Sequence, residues 1–172
     1  MNYNIHPIIV HFPVALLTLA SVLAVIMQFN RFAKYRKQLS FAYRMLLLIG
    51  LAGALVARMT GEAAAELTVR DHDLLERHEL FSSLATIFYG LLVFIEFLPS
   101  VVAFAAKRNW LKPKTKRSIL QFAQKLANPK LVSIMAILAV ISLVVTGMLG
   151  GAMVYGETAD PLTKYVLQLL GL

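Results

Sequence analysis

An all-α, polytopic membrane protein, built as a four-transmembrane-helix up-down bundle, is the fold class this sequence predicts, and three observations predict it. Apolar residues make up 59% of the chain and charged residues only 15%, whereas soluble domains run roughly 45–50% and about 25%. Mean hydropathy is +0.71. Four apolar stretches each reach the ~20 residues that cross ~30 Å of hydrocarbon, and they are too long and too uniformly apolar to be strands. The absence of Cys excludes a disulfide framework, a thiolate metal site, covalent c-type haem attachment and a cysteine nucleophile. No phosphate-binding motif or activated nucleophile points to a hydrolase or kinase. At 172 residues the chain reads as one domain with no evident internal repeat.

The first span covers residues 8–29 and carries no charge. It has no basic leader, and His6, Pro7, His11 and Pro13 stand at its start, so it reads as a mature first helix and not a cleaved signal. Pro7 suits a first helical turn, where its missing N–H costs nothing; Pro13 is expected to kink the helix. The second span, 41–61, has Arg44 and Arg58 near its ends. The third, 78–106, is interrupted by Glu96 and Pro99, and the fourth, 131–155, is uncharged. Between the third and fourth, the basic stretch 107–130 places Ile119, Phe122, Ala123 and Leu126 on one helical stripe beside Trp110. This predicts an amphipathic helix on anionic lipid. The 12 residues from Pro161 to Leu172 are too few to span.

Charge sets the expected direction. Most of the 17 Lys and Arg lie in the first and third connections, while the middle one holds Glu62, Glu66, Asp71, Asp73, Glu76 and Glu79. The positive-inside rule then places both basic connections in the cytoplasm and both termini outside. The net charge of +8 is thus a topology signal, with no nucleic-acid partner implied.

All four histidines fall at the expected outer end: His6 and His11 on the first helix, His72 in the loop and His78 on the third helix. His11 sits inside an apolar run, and ionisable groups there are costly enough to point to function. The first and third helices of such a bundle lie diagonally opposite, so His11 and His78 are expected to face each other through the core. His6 and His11 stand five residues apart, about 140° around a helix, and cannot chelate one ion together. Two imidazoles from opposite helices suit the axial positions of haem b, with His6 available to serve another haem. Arg58 would pair with a propionate or, more commonly, with Glu62 one turn away. The rival is a non-haem site for Zn, Cu or Fe built from His6, His11, His78, Glu62, Glu66 and Glu79. A third reading is a cofactor-free structural subunit whose histidines make interhelical hydrogen bonds. The small-residue ladders Gly53, Ala57, Gly61 and Gly147, Gly151 predict close helix packing and leave room for a macrocycle. Glu96, about 27 Å along the helix from His78, belongs to the other end.

The octet from His6 to Pro13, Thr60-Gly61-Glu62, the run from Glu76 to Glu79 and the segment from Leu149 to Tyr155 together resemble a bacterial membrane family called domain of unknown function 2231. The resemblance spans nearly the whole chain, the octet being its most specific part. It implies four helices in a bacterial inner membrane. Through the Rieske and cytochrome c modules joined to some relatives, it also implies respiratory electron transfer; for a small b-type cytochrome in this setting, quinone and a periplasmic redox partner are the expected partners. The matching positions are His6, His11, His78 and Glu79; His72 falls outside the pattern.

Overall fold

The computed structural model describes residues 5–68 and 71–172, without the side chains of 66–68. The order is α1 (His6–Ile26), α2 (Arg36–Thr68), α3 (His72–Lys107), α4 (Pro113–Leu126), α5 (Pro129–Tyr155) and α6 (Thr163–Leu170). A short 3₁₀ segment, Asn30–Tyr35, turns the chain from α1 into α2. No strand occurs among the described residues, and α1, α2, α3 and α5 are long and apolar enough to cross a membrane.

The helices do not stop where the apolar stretches do. α1 ends three residues earlier than the hydropathy suggests, α2 starts at Arg36 and runs to Thr68, and α3 starts at His72. Hydropathy reports what lies in hydrocarbon, whereas helix ends follow capping chemistry. The Asp71 carboxylate accepts from the amides of Asp73 and Leu74, both at 3.1 Å, and so starts α3 before its apolar stretch. Asn128 caps α5 from Lys130 N–H at 3.0 Å, with Pro129 in the first turn. Gly156 at φ 67 ends α5, a backbone conformation open to glycine. Pro13 and Pro99 both lie inside continuous helices. Asp160 caps the tail helix α6 from the amides of Leu162 and Thr163 at 2.8 and 3.0 Å.

Two helical hairpins form the bundle. α1 packs along α2, and α3 along α5; the hairpins then meet through α1–α5 and α2–α3, leaving α1 diagonal to α3. Small residues permit the close approach. Ala20, Ala24, Ala85, Ala136 and Ala139 are buried with Leu17, Leu47, Tyr89 and Leu92 in one core. Gly50 faces Leu17, and Gly53 makes room for the ring of Pro13. Tyr89 ties the diagonal together: its hydroxyl donates to the Leu17 carbonyl at 3.2 Å and meets Ser21 Oγ at 2.9 Å. Around this core lies a belt of exposed large apolar side chains, among them Leu19, Leu48, Leu55, Leu91, Phe94 and Val144. Water would penalise such a continuous belt, and lipid favours it.

At the basic end, Arg44 of α2 and Glu96 of α3 form an ion pair at 2.6 Å, which links the hairpins. Beyond it α4 packs on the end of α3 with Ala123 buried. The Arg108 guanidinium stacks over Phe104 and Trp110.

Candidate functional site

His6 and His78 occupy the other end of the bundle, each in the first turns of its helix and each half-buried against the partner helix of its own hairpin. His6 Nδ1 lies 3.0 Å from Thr60 Oγ1 of α2. That hydroxyl gives its proton to the Ala57 carbonyl at 2.9 Å, so it accepts from the imidazole, and Nδ1 carries the proton. His78 Nδ1 lies 3.0 Å from the Thr146 carbonyl of α5. A carbonyl can only accept, so here too Nδ1 is the donor. Both rings are therefore held in the tautomer whose Nε2 is the basic nitrogen. Metal-ligating histidines are oriented in this way by their outer hydrogen bond.

Glycine creates the seat for each ring. A Cβ on Gly61 would stand 3.3 Å from His6 Cε1, and a Cβ on Gly150 would stand 3.3 Å from His78 Cε1. The two imidazoles come from diagonal helices and stand at the same end of the bundle.

His11 does not face the core. It is exposed, and its Nδ1–H bonds the Pro7 carbonyl one turn back in its own helix. The reason is helical phase: five residues turn the chain by about 140°, so once His6 points to α2, His11 points away from it. The histidines seated against a neighbouring helix are His6 and His78, whereas the expected pair is His11 and His78. His72 is exposed.

The remaining expected site residues scatter. Arg58 turns away from Glu62 and donates to Ser82 and Ser83 of α3, both at 3.1 Å. Glu62 and Glu79 are exposed, and Glu66 lies outside the described side chains. Among the described residues no group of three or more His, Asp and Glu is placed to hold a metal ion. Gly147 meets nothing within 4 Å and Gly151 meets only the Ala159 side chain. The glycine against which a ring packs on α5 is Gly150. The room beside Gly53, Gly61 and Gly150 is filled by Pro13, His6 and His78 themselves, which leaves no macrocycle-sized gap within either hairpin. Thr60, Thr146, Ser82 and Ser83 were not legible as site residues, since a hydroxyl or carbonyl one helix away has no local signature.

The model of a family described as predicted membrane protein, DUF2231, matches residues 2–159. The chain belongs to this family. The DUF2231 match takes in all four long helices and both histidine seats and stops before α6. No curated protein and no solved structure matches the chain. As a DUF2231 member with four helices of spanning length, it is a membrane protein in contact with the lipid bilayer.

Proposed function

We propose that this membrane protein transfers electrons through a b-type haem that His6 and His78 would hold. One observation carries the reading: two imidazoles from diagonal helices stand at one end of the bundle, each oriented by a hydrogen bond from Nδ1–H, the tautomer in which Nε2 is the basic nitrogen. Two such nitrogens are the donor set of a bis-imidazole haem. When bound, the haem supplies a one-electron couple.

The chain's own residues supply orientation and environment. Thr60 and the Thr146 carbonyl fix the ring planes and raise imidazole basicity. Gly61 and Gly150 let each ring lie against its neighbouring helix. The apolar belt limits water at the site. Arg58, anchored on Ser82 and Ser83, sets a positive charge at the same end, where a propionate carboxylate would be held. A macrocycle would sit between the two hairpins, which pack on each other less closely than the helices within each hairpin do.

The proposed setting is a bacterial inner membrane. The basic connections, including Lys34, Arg36, Lys37 and the α4 region, favour the cytoplasmic side and turn the histidine end towards the periplasm. Quinone dissolved in the bilayer and a periplasmic redox protein are the partners that this placement serves.

The test is the visible spectrum of the full chain purified in detergent. The expected result is a low-spin haem spectrum that His6→Ala and His78→Ala each abolish, while His11→Ala and His72→Ala leave it unchanged. Retention of the spectrum in both His6→Ala and His78→Ala, or a colourless wild-type protein that takes up no haem, would overturn the reading.

A further inference from the structure

The two hairpins repeat one another. A shift of 72 residues takes His6 to His78 and carries three of the buried positions of α1 onto buried positions of α3: Pro13 onto Ala85, Leu17 onto Tyr89, Ala20 onto Leu92. From His6 to Ala20 the burial classes agree with those from His78 to Leu92 everywhere except at positions 11, 12 and 14. A shift of 89 residues relates the second helices over their middle and at the ring-bearing glycines. It takes Leu47 to Ala136 and Gly50 to Ala139, and it takes Gly61, under the His6 ring, to Gly150, under the His78 ring. The lipid-facing positions follow. Leu19 and Leu91 are 48% and 44% exposed, Leu48 and Ile137 43% and 45%, Leu55 and Val144 both 49%. The second shift is longer because the connection inside the second hairpin contains α4.

The packing has the same symmetry. Exchanging α1 with α3 and α2 with α5 maps the tight pair α1–α2 onto α3–α5, and the looser contact α1–α5 onto α3–α2. Both hairpins begin and finish at the histidine end, so the relating axis runs along the bundle. Repeats related by an axis along the membrane normal are one of the recurrent plans of membrane proteins, and their sites form where the repeats meet. The same correspondence explains His11. Its equivalent on α3 is Ser83, and the equivalent of Arg58 on α5 is Gly147. The Arg58–Ser83 bond therefore has no counterpart on the other flank, and His11 belongs to that flank and not to the axis.

We infer that the bundle is two copies of one helical hairpin about a twofold axis, and that His6 and His78 are the equivalent halves of a single site that takes one metal centre on that axis, ligated once from each hairpin. The inference rests on the cofactor reading above and deepens it by fixing stoichiometry and equivalence. Neither hairpin holds a complete site of its own.

Haemin titrated into the full chain in detergent tests this. The expected result is one haemin per wild-type chain in low-spin form, with His6→Ala and His78→Ala each losing all of that form and the double variant losing no more. Two haemins per chain, or half of the low-spin band surviving in each single variant, would overturn it. The wild-type stoichiometry does not depend on how well the variants fold. If wild type takes no haemin, the proposed function fails, and copper(II) alone decides the shared site. One copper per chain with two equivalent nitrogens in its electron paramagnetic resonance spectrum supports it. No copper, two coppers, or one imidazole per copper overturns it.

Discussion

Gly50→Ala puts the close packing of the first hairpin to a quantitative test. An added Cβ would stand 2.7 Å from Leu17 Cδ2, 2.8 Å from Leu17 Cγ and 3.2 Å from Leu16 Cβ. Leu17 is 1% exposed. Its Cγ cannot retreat without driving the side chain into the core around Leu47 and Tyr89. Overpacking of this kind costs about 1–3 kcal/mol, while replacing a mid-helix glycine by alanine returns about 1 kcal/mol. The net effect is a loss of roughly 0–2 kcal/mol. Gly90→Ala is the internal control, because nothing lies within 4 Å of its Cβ position and only the gain of about 1 kcal/mol remains. The two variants should differ by about 1–3 kcal/mol. At the 2–4 °C per kcal/mol typical of chains of this size, Gly50→Ala melts roughly 2–12 °C below Gly90→Ala in detergent. Equal melting temperatures, or a more stable Gly50→Ala, would refute the packing of α1 on α2 through Gly50.

Tyr89→Phe removes the hydroxyl that joins Leu17 and Ser21 of α1 to α3; interhelical hydrogen bonds in membranes average about 0.6 kcal/mol and reach about 1.7, so a small loss in reversible unfolding is expected and a gain would count against the bond. Gly150→Ala forces the His78 ring to give by a few tenths of an ångström, whereas Gly147→Ala enters open space; the first should shift the spectrum of the proposed haem and the second should not, and the reverse order would displace His78 from the proposed site. The Thr163 hydroxyl beside Asp160, joined by the amides of Leu162 and Thr163, holds the Asp160 carboxyl below the usual carboxylate range. That contribution to α6 is complete above the ordinary aspartate value of about 3.9 and disappears as pH falls through the lower folded value; hydrogen exchange at Val166 and Leu167 should quicken there, and Asp160→Asn should remove the pH dependence. A periplasm-active reporter fused after Leu172 should be active, and a cytoplasm-active one silent, if the positive-inside orientation is correct; the opposite pattern would invert the bundle.

Composition, charge and hydropathy are sums over neighbouring residues, and whatever depends on such sums is legible in the sequence alone. Four spans, a helical fold, a basic end with Arg44 and Glu96 and a histidine end with His6 and His78 all follow from where apolar and charged residues cluster along the chain. The facing of each side chain does not. α1 is apolar almost all round, so its sequence carries no phase to say which face is inward, and His6 and His11 differ only in that phase. Tertiary packing chose His6, by setting Gly61 and Thr60 of α2 against it and leaving His11 exposed. It chose Gly150 over Gly147 and Gly151 for the same reason, and Ser82 and Ser83 over Glu62 as the partners of Arg58. The repeat is hidden from the sequence because lipid and core ask only for apolar residues of fitting size. Leu17 and Tyr89, or Pro13 and Ala85, fill equivalent places without sharing identity, and the equivalence exists only in how the two hairpins bury them.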